Sequence, residues 1–327
     1  MGLKLIFGRA GSGKSKYCYN EIKKNIENKE KIYLITPEQF SFTAETKLME
    51  EIETKAIMQA EVIHLSRLAK RAIQELGIKT KTISKCGKAM LINYILTMNK
   101  NNLTYLSKSE QNIDIAISSI TELKKHGVNI ETLKKQIETT ENKYLKTKLQ
   151  DISIIYEQYD KQIQENYIDE ADELSILAQN INKINWIKES VIYIDEFAGF
   201  TYPEFQVIKE LIKYAKQVNI TITTDDLQNN QKPDTDIFYP NKLTIDKLLN
   251  LVNKNNLELE KPIEIDGQNR FKTLELKKVE KELFSNKSTR YEQNVENINI
   301  FLAKNQYTEI ENVAKEITKL VREKNFR

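Results

Sequence analysis

Residues 4–15 read KLIFGRAGSGKS, a segment that combines a strand pattern with a glycine-rich turn. The apolar run Leu5, Ile6 and Phe7 leads directly into the pattern GxxxxGKS, and an amphipathic helical pattern follows from Lys16 to Glu27. A strand, a glycine turn and a helix N-terminus form the context in which this pattern binds phosphate as a P-loop. The segment therefore predicts a P-loop. The alternative is a chance match in a turn, although three of the nine glycines in the chain lie here.

The residue types of this segment each have a role in phosphate binding. Glycines let the backbone turn and approach a phosphate without a Cβ in the way. Backbone N–H groups and the positive end of the following helix then face the β-phosphate. Lys14 would reach the β- and γ-phosphate oxygens, and the Ser15 hydroxyl would ligate Mg²⁺. The predicted nucleotide-binding residues are Gly8, Arg9, Ala10, Gly11, Ser12, Gly13, Lys14 and Ser15.

Length and composition narrow the class of protein. A chain of 327 residues suggests two or three domains. The net charge of +3, from 50 basic and 47 acidic residues, means that any DNA contact must be a local patch. Two cysteines are too few for a disulfide framework or a metal cluster. With 30% charged residues and neither a membrane-spanning run nor a signal peptide, we expect a cytoplasmic protein without membrane contact.

Strand-like and helix-like runs alternate through the first 85 residues. The β-type runs lie at Lys31–Thr36 and Glu61–Leu65, and helical patterns follow at Thr43–Ile52 and from Ser66. The Ser66 hydroxyl is suited to cap its helix. Alternation of this kind is typical of a parallel sheet flanked by helices. We therefore predict an α/β fold, a P-loop NTPase (RecA-like) domain.

The pattern changes at about residue 86, and strand signal is nearly absent until residue 185. Apolar residues recur there at helical spacing, in the sets Ile113, Ile117, Ile120 and Leu123, and Leu145, Leu149, Ile152, Tyr156, Tyr159 and Ile163. The second set fits a coiled-coil dimer or a helix packed inside the same chain, and we favour the latter. Asp169 and Asp172 resemble a helix cap and are interpreted as structural. We predict an all-helical insertion domain over 86–185.

Strand character returns at residues 190–197, which read SVIYIDEF. Four β-formers ending in two carboxylates is the pattern of a Walker B strand. A buried parallel strand would deliver Asp195 to the carboxyl edge of the sheet, where it can hold the Mg²⁺ bound to Ser15. Glu196 is the predicted catalytic residue, a general base that polarises the attacking water. The alternative is an acidic strand end or helix cap without chemistry.

The remainder of the chain gives weaker signals. After a helix from Glu204 to Ala215, a strand over 218–224 ends in Asp225 and Asp226, which fit either a γ-phosphate sensor or a solvated turn. Residues 227–236 read as a loop. A strand is predicted at 298–303 and a helix at 308–323. We predict one motor domain over 1–85 and 186–290 and a truncated second motor domain from 291 to 327, because the chain ends directly after a helix.

This order of motifs resembles a superfamily 1 helicase motor domain. More specifically, the chain resembles the N-terminal part of the B-type subunit, AddB, of the bacterial ATP-dependent helicase/deoxyribonuclease. The matching stretches are GRAGSGKS at 8–15, ITPEQFSFTAE at 35–45, SRLA at 66–69 and IDEFAGFT at 194–201. The PEQF stretch is the most specific of them, because generic P-loop proteins do not carry it.

The resemblance implies membership of a complex that resects double-strand breaks for recombinational repair. In this family the A-type partner supplies the translocating motor and forms a heterodimer with the B-type subunit. The latter carries a C-terminal nuclease with an iron–sulfur cluster, which would lie outside this chain, and helps recognise a Chi-type sequence in single-stranded DNA. The positions that match the DNA-facing side are Pro37, Glu38, Gln39, Phe40, Ser66 and Arg67. A strand-edge turn with a helix cap remains the alternative for them.

Two departures from the family pattern leave alternatives open. Only seven residues precede Gly8, so the glutamine that reads adenine in many superfamily 1 helicases has no place upstream. ATP hydrolysis also needs an arginine from the second motor domain. One alternative is a vestigial motor that serves as a DNA-binding scaffold. The other is a P-loop kinase for a small metabolite. Such a kinase would need an arginine-rich lid near the phosphates, and the absence of arginine from residues 86–185 counts against it.

Overall fold

The computed structural model describes residues 2–52, 59–78, 81–106, 112–228, 236–285, 288–324 and 326. It forms two compact units, Met1–Gly267 and Gln268–Arg327. The predicted loop at 227–236 lies largely outside the described residues. Among the described helices, none has both the length and the apolar character that crossing a bilayer requires.

The first unit contains the strands and most of the helices. Its strands are β1 (Gly2–Gly8), β2 (Lys31–Ile35), β3 (Ala60–Ile63), β4 (Lys81–Thr82), β5 (Tyr167–Ile168), β6 (Ser190–Ile194), β7 (Gln217–Thr223), β8 (Glu258–Leu259) and β9 (Ile263–Glu264). Its helices are α1 (Lys14–Glu27), α2 (Ser41–Ile52), α3 (Leu65–Glu75), α4 (Lys85–Met98), α5 (Asn112–Lys125), α6 (Ile130–Thr139), α7 (Lys143–Asn166), α8 (Glu173–Asn180), α9 (Asn185–Lys188), α10 (Tyr202–Tyr214) and α11 (Tyr239–Lys254). The second unit contains α12 (Leu274–Glu282) and α13 (Gln306–Lys324).

The central sheet has the strand order β3-β2-β6-β7-β1-β8, with β9 also beside β1. All of these pairs are parallel. Parallel neighbours require crossover connections, which the helices between the strands supply. The predicted α/β fold with a parallel sheet flanked by helices is therefore confirmed. The short strands β4 and β5 pair with each other, apart from the central sheet.

Both faces of the central sheet are buried under helices, which is why β1, β2 and β6 are rich in apolar residues. On one face, residues such as Leu5, Ile194 and Ile220 pack with α3, α8, α10 and α11. On the other face, Ile6 and Tyr193 pack with α1 and α2. The P-loop helix α1 therefore lies directly on the sheet.

Helices α4 to α7 enclose a hydrophobic core of their own, which includes Ile92, Ile120 and Tyr159. The apolar stripe of α7 contributes to this core, so its heptad-like spacing packs within the chain, as we favoured. Asp151 of α7 holds the segment after α4 against α7. Its carboxylate accepts hydrogen bonds from the backbone N–H groups of Thr104, Tyr105 and Leu106.

Two local predictions are wrong. The cap of α3 is His64 and not Ser66: the His64 Nδ1 accepts a bond from the Arg67 N–H at 3.3 Å, because the strand stops at Ile63 and the helix starts at Leu65. Residues 298–303 are not a strand. Ile300 and Leu302 are 93% and 100% exposed, and the described part of the second unit offers no strand for them to pair with.

Candidate nucleotide-binding site

The sheet brings the predicted motifs to one edge. The Asp195 N–H, just after β6, donates to the Ile35 carbonyl at the end of β2 at 3.0 Å. The Thr224 N–H, just after β7, donates to the Gly8 carbonyl at the end of β1 at 3.2 Å. The carboxyl ends of β2, β6, β7 and β1 therefore lie side by side, where open parallel sheets bind ligands.

The P-loop connects β1 to α1, and its glycines meet two different demands. Gly11 and Gly13 have φ angles of 78° and 106°, in the left-handed region that favours glycine. Gly8 is restricted by close approach, since a Cβ there would lie 2.3 Å from the Ile265 carbonyl oxygen. Gly13 also precedes α1 and provides no side-chain cap, so the first N–H groups of α1 form an N-terminus suited to an anion.

Lys14 and Ser15 occupy the first turn of α1. The Lys14 Nζ donates to the carbonyl oxygens of Gly8 at 2.9 Å and Arg9 at 3.0 Å, so the lysine folds back over its own loop. The Ser15 Oγ donates to the Glu196 Oε1 at 3.3 Å. The fold thus brings the serine of the glycine-rich loop and the glutamate that follows β6 together, although they are 181 residues apart in sequence.

Asp195 is almost fully buried, at 3% exposure. Its Oδ1 accepts a hydrogen bond from the Thr221 hydroxyl, whereas its Oδ2 has no hydrogen-bond partner among the described residues. A buried carboxylate oxygen without a partner is costly, and a cation would remove that cost. The residues therefore fit Mg²⁺, an ion that binds P-loop proteins through few side chains because phosphates and water complete its shell.

Two α1 side chains beneath Asp195 are kept neutral by their surroundings. Burial raises the pKa of the Cys18 thiol well above its ordinary value, and the negative charge of Asp195 raises it further. Burial and the charges of Asp195 and Glu196 likewise raise the pKa of Tyr19. Consequently neither Cys18 nor Tyr19 adds a negative charge near Asp195.

Glu196 has a φ of 66°, although it is not a glycine. This left-handed conformation costs an L-residue roughly 1–2 kcal/mol. We expect Glu196→Gly to be about 1 kcal/mol more stable than Glu196→Ala, because both variants lose the bond from Ser15 and only glycine relieves the backbone. Urea unfolding of the two variants measures the difference. Equal stability would contradict a strained backbone at this position.

The end of β7 is held by a buried lysine. Lys242 of α11 is 2% exposed, and its Nζ lies 2.8 Å from both the Asp225 Oδ1 and the Asp236 Oδ2. Asp225 is thus part of an ion-pair network, although its side chain is 38% exposed. Sequence reasoning missed Lys242, because neither its spacing nor its neighbours in sequence set it apart from surface lysines.

The predicted DNA-facing residues lie on the same edge, beyond β6. Pro37 and the short helical turn Glu38–Phe40 follow β2, and Ser66 and Arg67 lie in the first turn of α3, after β3. The Thr36 N–H donates to the Ile63 carbonyl at 3.1 Å, so the two segments are neighbours. Glu38, Gln39, Phe40 and Arg67 are exposed, as is Phe42 at 81%, which sequence reasoning did not single out.

Comparison with known proteins gives a consistent result. A family model described as "ADDB, N-terminal" matches residues 5–280. The chain is 40% identical over 337 aligned residues to the B-type subunit of the ATP-dependent helicase/deoxyribonuclease of Clostridium botulinum. It is 38% identical to the proteins of the same name from Clostridium kluyveri and Clostridium perfringens. The alignments cover 100% of this chain and 29% of each relative.

Proposed function

The chain belongs to the ADDB N-terminal family, and from this premise we propose that it binds ATP with Mg²⁺ as the helicase-like part of a helicase–nuclease complex. The observation that carries the proposal is the hydrogen bond between Ser15 of the P-loop and Glu196 after β6. It brings together two residues that are 181 positions apart in sequence and that the proposed site requires in one place. The relatives are named ATP-dependent, which supports the same nucleotide.

The proposed roles follow from position and chemistry. Lys14 would leave the carbonyls of Gly8 and Arg9 and place its ammonium on the β- and γ-phosphate oxygens. Ser15 and Asp195 would hold Mg²⁺, which neutralises phosphate charge when bound. Glu196 would then be released from Ser15 and could act as general base toward the attacking water. The catalytic arginine from another domain is not assigned to any residue of this chain.

The experiment that tests the proposal is a calorimetric titration of the chain with Mg-ATP. We expect saturable binding with one site per chain. No measurable binding would contradict the proposed site and would favour the scaffold alternative. Turnover that DNA stimulates would support the helicase-like function, whereas phosphorylation of a small metabolite would support the kinase alternative.

The wider role rests on the family. The relatives are named as the B-type component of a helicase/deoxyribonuclease, and the chain spans 29% of the length of the first of them. We propose by extension that this protein forms a heterodimer with an A-type partner and acts on double- and single-stranded DNA. We also propose that it takes part in recombinational repair of double-strand breaks. The nuclease and its iron–sulfur cluster would lie outside this chain.

We also propose that the exposed segments after β2 and β3 bind single-stranded DNA and contribute to Chi-type recognition. Three features support this proposal. Gln39 offers an amide that can read a base edge, and Arg67 offers a cation for phosphate or base. Phe40 and Phe42 add exposed aromatic rings on which bases can stack.

We expect Arg67→Ala to weaken binding of single-stranded DNA by about 1 kcal/mol, roughly fivefold, because one charge-assisted contact is lost. The slope of log affinity against log salt should fall by about 0.7. Fluorescence anisotropy with a labelled oligonucleotide at several salt concentrations measures both. Lys216→Ala is the matched control, since Lys216 precedes β7 at the opposite edge of the sheet. Equal losses in the two variants would argue against a DNA surface at Arg67.

A further inference from the structure

Strand β7 is a central strand with an unusual composition. It lies between β6 and β1 and is buried on both faces. Central strands of parallel sheets normally read as continuous apolar runs. Here Val218, Ile220 and Ile222 alternate with polar residues, and the polar Asn219 and Thr221 are each only 4% exposed. A hydroxyl and an amide placed in the middle of a core need a physical reason.

The register shows which face carries the polar residues. Thr221 is aligned with Ile6 of β1. Ile6 packs in the same cluster as Cys18 and Ile22 of α1. Since aligned residues of parallel strands point to the same face, Thr221 lies on the face that α1 covers. The polar side of β7 is therefore beneath the P-loop helix.

The Thr221 hydroxyl donates to the Asp195 Oδ1. Asp195 follows Ile194, which is aligned with Ile220 of β7, so a threonine one residue further along β7 is in reach of the carboxylate. The remaining oxygen, Oδ2, is buried and has no hydrogen-bond partner among the described residues. The bond from Thr221 thus fixes the rotation of the carboxylate and leaves one defined oxygen for a cation.

We infer that Thr221 is a positioning residue, which orients Asp195 so that its Oδ2 can ligate the Mg²⁺ of a bound nucleotide. This inference rests on the proposed nucleotide site and adds a residue to it. A positioning role differs from mere satisfaction of a buried hydroxyl. If Thr221 only stabilised the core, its loss would affect folding but would not act selectively on the Mg²⁺-dependent part of nucleotide binding.

The test is calorimetry of ATPγS binding to the full chain, with Mg²⁺ and with EDTA, for the wild type, Thr221→Val and Thr221→Ser. Valine keeps the shape and β-branching of threonine and loses only the hydroxyl. We expect Thr221→Val to reduce the gain in affinity from Mg²⁺ by about fivefold, the effect of one lost hydrogen bond, and to leave affinity in EDTA unchanged. Thr221→Ser should restore the gain.

Thr244→Val is the matched control. Thr244 is also buried, but its hydroxyl donates to the Pro240 carbonyl within α11, so this variant should keep the full effect of Mg²⁺. If Mg²⁺ increases the affinity of the wild type and Thr221→Val keeps that increase in full, the positioning role of Thr221 is overturned. The proposed nucleotide site is then unaffected. An equal loss with Mg²⁺ and with EDTA would likewise overturn the positioning role, since that is the result of general damage. Absence of ATPγS binding by the wild type would overturn the proposed nucleotide site and this inference together.

Discussion

Replacing Lys14 with alanine is expected to weaken Mg-ATP binding at least about tenfold, a loss of about 1.4 kcal/mol. The reason is geometric as well as electrostatic. Lys14 sits in the first turn of α1 with its ammonium over the P-loop carbonyls, so a short movement places it on the phosphates. The other cation of the loop, Arg9, lies over the Phe238 ring, with its Cζ 5.1 Å from the ring centroid. The measurement is the Mg-ATP titration, repeated on the variant.

Lys16→Ala is the matched control for that experiment. Lys16 lies two residues further along α1, carries the same charge, and is 70% exposed, with its Nζ 4.0 Å from Glu51. A general effect of positive charge near the loop would weaken binding in both variants. We expect the loss only in Lys14→Ala. Unchanged affinity in Lys14→Ala would contradict the assignment of the P-loop as the phosphate site.

The parts of the site that could be predicted are those that one local pattern encodes. The predicted P-loop carries its glycines, lysine and serine in eight consecutive residues, and two adjacent carboxylates directly follow the predicted Walker B strand. That the two motifs meet follows from a simple rule, since parallel strands place their carboxyl ends at one edge. The contact between Ser15 and Glu196 agrees with this expectation.

Contacts that depend on strand order could not be predicted in this way. Thr221 reaches Asp195 only because β7 lies beside β6, and the sequence does not state which strands are neighbours. Similarly, β8 and β9 contain two residues each, too few to show a period. The error at 298–303 has the opposite cause. A short, mostly apolar run suggested a strand, but a strand forms only where a partner offers its backbone groups.

Buried charged residues are a further feature that could not be predicted, because composition does not show which charges are buried. Lys124 of α5 is 5% exposed, and its Nζ lies 2.5 Å from Asp172, 3.3 Å from Asp160 and 3.7 Å from Asp169. Asp169 also accepts a hydrogen bond from the Tyr159 hydroxyl at 2.8 Å and forms an ion pair with Lys88 at 3.1 Å. This charge cluster joins α4, α5 and α7 to the segment before α8. It agrees with a structural role for the two aspartates.

We expect Lys124→Met to destabilise the protein by about 3–5 kcal/mol. Methionine replaces the aliphatic stem of the lysine, so the loss comes from the charge, and removing one partner of a buried ion pair leaves carboxylates without compensation. Urea unfolding followed by circular dichroism measures the change. Lys125→Met is the matched control, because Lys125 is 52% exposed and pairs only at the surface with Glu122, a contact worth about 0–1 kcal/mol. Similar losses in both variants would contradict the special role of Lys124.

The free energy of unfolding of the wild type and of Lys124→Met can also be compared as a function of pH, which gives an independent check on the charge cluster. Burial alone would raise the pKa of Asp169, but the cations of Lys124 and Lys88 and the bond from Tyr159 hold it below its ordinary value of 3.8. A carboxylate with a depressed pKa in the folded state contributes stability that is present above its unfolded pKa and lost as the pH falls through the folded value. Once the carboxylates are protonated, the missing lysine no longer leaves a charge uncompensated. The stability gap between the wild type and Lys124→Met should therefore be constant near neutral pH and should narrow in acid. It narrows first as Asp172, whose pKa burial raises above 3.8, takes up its proton, and then as the pH falls through the lowered pKa of Asp169. A gap that stays the same down to pH 3 would show that Lys124 stabilises the core by packing and not by pairing with Asp169.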